Sequence, residues 1–163
     1  MRRYLEDDEV FLANYGDTLT DAPMDRIVDD FLATDNQASL LAVPPQGSFH
    51  VVDVDNGPGH SARNLVSVAE LPLWINGGYF VLHQGVFDVL GKDEDLVGDA
   101  FNRLGEQGKL MAVPYDGFWA PMDTLKERAY LEDLHQRGES PWAVWSRNGS
   151  ATPRHPALPA LST

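Results

Sequence analysis

Two aspartates stand where an apolar stretch gives way to a turn or a helix. Asp17 follows the run Val10-Phe11-Leu12-Ala13-Asn14-Tyr15 and a glycine. Asp123 follows Trp119-Ala120-Pro121-Met122 and precedes a helical pattern. Open α/β sheets bind ligands at the carboxyl ends of their strands, so a carboxylate there is placed for chemistry. Two separated carboxylates with only oxygen donors around them suit Mg²⁺, which takes one or two carboxylates and completes its shell with water and substrate phosphates. Each residue also has a plainer reading, Asp17 as a turn residue and Asp123 as the cap of the helix that follows it. A third feature is Asn76-Gly77-Gly78, inside the strand expected over 74–82. Glycine weakens a strand unless the chain bulges there or something approaches the backbone closely, and the pattern leaves both open.

Composition removes other chemistries. The 163 residues include no Cys, which rules out disulfides, thiolate metal sites and cysteine nucleophiles. No GxxxxGK[ST], HExxH, GxSxG or GxGxxG motif is present. The five histidines, at 50, 60, 83, 135 and 155, have no ligand spacing and are expected at the surface. The net charge of −13 argues against nucleic acid and against anionic membranes. Residues 1–55 carry 12 acids against 3 bases, an acidity that reads mainly as a solvated face. No apolar run could span a bilayer, and the opening MRRYLEDDEV has no signal-peptide core, so the expected location is the cytoplasm.

The elements that must position the aspartates follow from periodicity. Val10–Tyr15 lacks polar alternation and reads as a buried, parallel strand. A Thr/Asp-rich turn follows. Asp21 reads as the cap and Pro23 as an early position of a helix whose face is Met24, Ile27, Val28, Phe31 and Leu32. Ala38–Val43 is a second buried strand, stopped by Pro44-Pro45, so the chain opens as a βαβ unit. Phe49–Val54 and Arg63–Val68 flank Asp55-Asn56-Gly57-Pro58-Gly59 as a hairpin. Helical segments are expected at 87–90 and 96–107, then a strand over 109–115. The last helix runs over 124–137, with Leu125, Ala129, Leu131 and Leu134 buried and Thr124 or Asp123 as cap. Trp142 and Trp145 are expected to pin the chain end. Residues 147–163 are expected to form a disordered tail.

The wording of three stretches adds to this pattern. Phe11-Leu12-Ala13-Asn14-Tyr15-Gly16-Asp17-Thr18-Leu19-Thr20-Asp21, Trp74-Ile75-Asn76-Gly77-Gly78-Tyr79-Phe80-Val81 and Gly117-Phe118-Trp119-Ala120-Pro121-Met122-Asp123-Thr124-Leu125-Lys126 occur in order, followed by Pro141-Trp142-Ala143-Val144-Trp145. The chain thereby resembles the sugar-1-phosphate nucleotidyltransferases, in their glucose-1-phosphate cytidylyltransferase branch, over residues 2–145. The resemblance implies an α/β fold, the C-terminal part of a Rossmann-like nucleotide-diphospho-sugar transferase domain with a mixed sheet, over residues 1–146. It implies a reaction in which a sugar 1-phosphate attacks the α-phosphate of a nucleoside triphosphate, giving an NDP-sugar and pyrophosphate with the help of Mg²⁺. Asp17 and Asp123 match the family's metal aspartates. Asn76, Gly77 and Gly78 match the segment that lies along the sugar phosphate, with Tyr79 lining the same pocket. Lys126 faces a phosphate on this view, or solvent as an ordinary helix lysine.

Two departures accompany the resemblance. The family's Gly-rich triphosphate loop and Pro-Lys-Pro segment have no counterpart here, and Ser67-Val68-Ala69-Glu70-Leu71-Pro72 stands where members carry Glu-Lys-Pro. The expectation is therefore an enzyme half that needs a complementing N-terminal fragment or a homo-oligomer. The alternative is an inactive remnant acting as a sugar-phosphate-binding or interaction module.

Overall fold

The computed structural model describes residues 4–5, 7–47, 49–55 and 57–146. The expected tail, 147–163, lies outside the described residues. A four-stranded sheet forms the centre, in the order β1 (Val10–Asn14), β6 (Ile75–His83), β3 (Ala38–Val43) and β7 (Leu110–Pro114). β6 runs antiparallel to β1 and β3, and β3 runs parallel to β7, so the sheet is mixed, as expected.

Both faces of the sheet are covered. Side chains alternate across a strand, so Val81 of β6 faces one side and Phe80 and Leu82 the other. On the first side Leu41, Val43 and Val81 pack with Ile27 and Phe31 of α1 (Met24–Leu32) and with Trp119. On the second, Ala38, Phe80 and Leu82 pack with Val86 of α2 (Val86–Val89) and with Phe101 and Leu104 of α3 (Phe101–Glu106). α3 is entered through one wide π-helical turn, Leu96–Ala100, which Asp95 caps by accepting from the amides of Val97 and Gly98.

Several expectations are corrected. β1 is not a buried parallel strand. It is an edge strand, antiparallel to β6, and Leu12 on it is 57% exposed. Its apolar run misleads because an edge strand still needs one apolar face and tolerates more. The Thr/Asp-rich turn contains a short strand, β2 (Thr18–Thr20), which pairs with β8 (Trp119–Pro121). α1 begins after Pro23 without a side-chain cap, so Asp21 does not cap it, and Leu32 is exposed. The last helix, α4 (Leu125–Gln136), buries Leu131 and Leu134, while Leu125 and Ala129 are exposed. Trp142 packs on Phe118, but Trp145 is open to solvent. His50, His60 and His135 are exposed as expected, whereas His83 is half-buried against the Phe31 ring; His155 lies outside the described residues.

The hairpin of β4 (His50–Val54) and β5 (Ala62–Ser67) forms as expected. It is a two-stranded ribbon on its own, joined by ladder bonds to no other strand among the described residues. No helix among the described residues is long and apolar enough to cross a membrane.

Candidate functional site

β1, β3 and β7 end on the same edge of the sheet where β6 begins, because Asn14 stands opposite Tyr79 and Val43 opposite Ile75. Two of the sequence-selected stretches meet here. Beyond Asn14 the Tyr15 amide donates to the Gly78 carbonyl at 2.8 Å. The chain then turns through Gly16-Asp17 into β2.

The β2/β8 ladder brings in the third stretch. Thr18 pairs with Pro121 and Thr20 with Trp119. At the open end of this ladder the Met122 amide donates to the Asp17 carbonyl at 2.7 Å. Asp17 therefore sits opposite Met122, and Asp123 is the next residue along. Both aspartates are exposed, and among the described residues neither carboxylate has a side-chain hydrogen bond or ion pair.

The capping alternative for Asp123 is not what the structure contains. Thr124 caps α4: its hydroxyl accepts from the Glu127 amide, and the Glu127 carboxylate accepts from the Thr124 amide and hydroxyl. This reciprocal box satisfies the first turn's free donors and leaves the Asp123 side chain unused.

The Asn76-Gly77-Gly78 segment is a bulge. Leu40 pairs with Phe80 and Ala42 with Asn76, so three residues of β6 pass opposite Leu41 alone. Both glycines have packing reasons inside the protein. Gly78 has φ +75°, a left-handed conformation costly for other residues, and a Cβ there would lie 2.6 Å from Tyr15 Cδ2. A Cβ on Gly77 would lie 3.1 Å from the Leu41 carbonyl oxygen. The bulge is tied down by side chains: Asn76 Oδ1 accepts from the Gly78 amide at 2.9 Å, and the buried Trp119 indole donates to the Gly77 carbonyl at 2.7 Å. The Tyr79 hydroxyl donates to the Thr18 carbonyl at 2.8 Å, next to Asp17. Burial of the phenol pushes the Tyr79 pKa above its ordinary value.

Asp17, Asp123, Asn76, Gly77, Gly78 and Tyr79 are thus linked through one hydrogen-bonded region. Lys126 is exposed in the first turn of α4, and among the described residues no hydrogen bond or ion pair ties it to the others. Glu70, in the 3₁₀ turn Val68–Glu70, is also exposed.

Two exposed carboxylates at one ladder end fit a hard divalent cation that retains water. No group of three His, Cys, Asp or Glu residues among the described residues forms a fuller protein cage, so the remaining ligands would have to come from water and substrate, the habit of Mg²⁺.

Periodicity missed the residues that hold this region together. Asp21 was read as a helix cap, yet its carboxylate accepts from the Tyr115 hydroxyl and the Phe118 amide across the chain. Trp119 has no role that periodicity assigns. A buried indole needs an acceptor for its N–H, which is the one signal that could have suggested its link to the bulge.

No protein-family profile matches the chain. Glucose-1-phosphate cytidylyltransferases of Salmonella typhi and Salmonella typhimurium are each 37% identical to it over 147 residues, covering 87% of this chain. The chain spans about half the length of these curated relatives, 55%. A solved structure described as a glucose-1-phosphate thymidylyltransferase from Bacillus anthracis superposes with a TM-score of 0.54 at 15% identity, over 92% of this chain and 61% of that one. That likeness concerns the fold alone. Identity at this level over most of the chain identifies it as a homologue of the C-terminal part of the glucose-1-phosphate cytidylyltransferases, which are sugar-1-phosphate nucleotidyltransferases.

Proposed function

We propose that this chain supplies the cation and sugar-phosphate half of a sugar-1-phosphate nucleotidyltransferase. An oxygen of the sugar 1-phosphate attacks the α-phosphorus of a nucleoside triphosphate, the bond to the β-phosphate oxygen breaks, and pyrophosphate leaves. The observation that supports this reading most is the convergence of Asp17 and Asp123 at one end of the β2/β8 ladder. Among the described residues neither carboxylate is spent on a structural bond.

Asp17 and Asp123 would hold Mg²⁺. When bound, such an ion neutralises phosphate charge that would repel the incoming nucleophile. The protein's own share is positioning. The β6 bulge holds Asn76, Gly77 and Gly78 rigidly beside the aspartates, where they would lie along the sugar phosphate with Tyr79. Lys126 would balance phosphate charge from the start of α4.

The triphosphate loop would come from outside this sequence. β1 is the edge at which a complementing segment would add, because its outer ladder groups have no strand partner among the described residues. Open edges of this kind recruit strands. A second copy of this chain is the other source of a strand.

The test supplies, in trans, the region of the Salmonella typhi relative that precedes the match. Pyrophosphate release is followed with glucose 1-phosphate, Mg²⁺ and each nucleoside triphosphate in turn. Release is expected only when both pieces are present, falling by orders of magnitude in Asp17→Asn and Asp123→Asn with unchanged folding. Unaltered turnover in Asp123→Asn would defeat the proposal. Binding of glucose 1-phosphate without turnover in any mixture would instead mark a binding module.

A further inference from the structure

We propose that Asp21, Tyr115 and Gly117 form a clamp that sets the spacing of Asp17 and Asp123. This rests on the reading of those two aspartates as cation ligands. Asp21 is a positioning residue on this view, since it acts through β8.

Four hydrogen bonds carry the argument. The Asp21 carboxylate Oδ1 accepts from the Tyr115 hydroxyl and, at 2.9 Å, from the Phe118 amide. The Asp21 amide donates back to the Phe118 carbonyl at 3.2 Å. The Thr20 hydroxyl donates to the same carbonyl at 2.8 Å. Three of them meet at Phe118, the residue before β8, and a carboxylate acceptor makes the two to Oδ1 strong.

Register explains why β8 needs a clamp. The β2/β8 ladder has only three Cα pairs, Thr18 with Pro121, Leu19 with Ala120 and Thr20 with Trp119. A slip of one residue reverses every side chain's face and is cheap to make in a short strand. Such a slip would carry Asp123 away from Asp17. Locking Phe118 to Asp21 at the far end fixes the register.

Gly117 is an independent sign of the same device. A Cβ there would fall inside the Tyr115 phenol, far below the 3.0 Å that real Cβ atoms keep. Gly117 does not have a positive φ, so the requirement is for space. The glycine lets the Tyr115 side chain fold over the turn and reach Asp21.

The experiment uses the whole chain and two readouts: Mn²⁺ affinity by electron paramagnetic resonance, and hydrogen exchange of the Met122 amide that bonds Asp17 without any metal. Asp21→Ala and Gly117→Ala are expected to raise the Mn²⁺ Kd by about 10–100-fold, the usual loss when a ligand's support is removed, and to speed Met122 exchange. Asp21→Asn keeps an acceptor oxygen for both donors and should restore both readouts nearly to wild type. Thermal unfolding checks that each variant is folded; if Asp21→Ala is not, Gly117→Ala and Tyr115→Phe carry the comparison. Wild-type Met122 exchange in folded Asp21→Ala, or in folded Gly117→Ala where Asp21→Ala does not fold, overturns the clamp, as does damage by Asp21→Asn equal to that by Asp21→Ala. Asp123→Asn is the control for the underlying reading. If it binds Mn²⁺ as the wild type does, the cation assignment fails, and Met122 exchange still decides whether the clamp exists.

Discussion

Replacing Gly78 by alanine should separate a packing role for the glycine from a ligand-facing one. Gly78 has φ +75°, where an L-residue is disfavoured by about 1–2 kcal/mol. The new Cβ would also lie 2.6 Å from Tyr15 Cδ2 and 3.0 Å from Cγ. Tyr15 is 43% exposed, so its ring has solvent to swing into. Doing so breaks its edge-on contact with Phe80, whose centroid is 5.5 Å away at 78°, a loss of about 0.5–1.5 kcal/mol. The total is about 1.5–3.5 kcal/mol, measurable by urea denaturation. In a Tyr15→Ala background only the backbone part should remain, so the double-mutant cycle should return a coupling of about 1 kcal/mol. Gly78→Ala costing under about 0.5 kcal/mol, or the same in both backgrounds, would refute this account of the bulge.

Other outcomes follow from the same geometry. Thr124→Ala should lower stability by about 1 kcal/mol through loss of the capping box, while Asp123→Ala should leave the denaturation midpoint where it was, since its carboxylate makes no structural bond among the described residues. Tyr79→Phe should remove a tyrosinate component that forms above the ordinary value of 10.0 in an ultraviolet titration. Because the folded pKa is raised, Tyr79 contributes stability that is fully present below pH 10 and is lost as pH rises through the folded value. Wild-type stability should fall across that alkaline range, and Tyr79→Phe should lack this part of the fall.

Much of the fold was legible because its signals are local. Ala38–Val43 is apolar at nearly every position and ends at two prolines, and it is the buried β3. The segment between β4 and β5 carries its own turn signals, and those two strands pair as expected. The errors fall where a pattern has more than one physical cause. An apolar run marks a strand but not its partners, so Val10–Tyr15 reads as buried and parallel, whereas β1 is an antiparallel edge. Asp21 before Pro23 has the look of a cap, yet the helix starts without one. Leu125 keeps helical spacing, yet it is 83% exposed.

The site divides the same way. Residue types and the wording of three stretches picked out Asp17, Asp123 and Asn76–Tyr79, and the absence of Cys already limited any ligand set to oxygen and nitrogen donors. Only the tertiary structure decided that two aspartates distant in the chain share one ladder end. Only it showed that Thr124 takes the cap and leaves Asp123 free. It also gave Gly77 and Gly78 neighbours that a side chain would strike. Sequence carries local propensity, whereas spacing between residues far apart depends on strand register, and register is set by hydrogen bonds such as those of Asp21 and Trp119, which exist only once the chain has closed on itself.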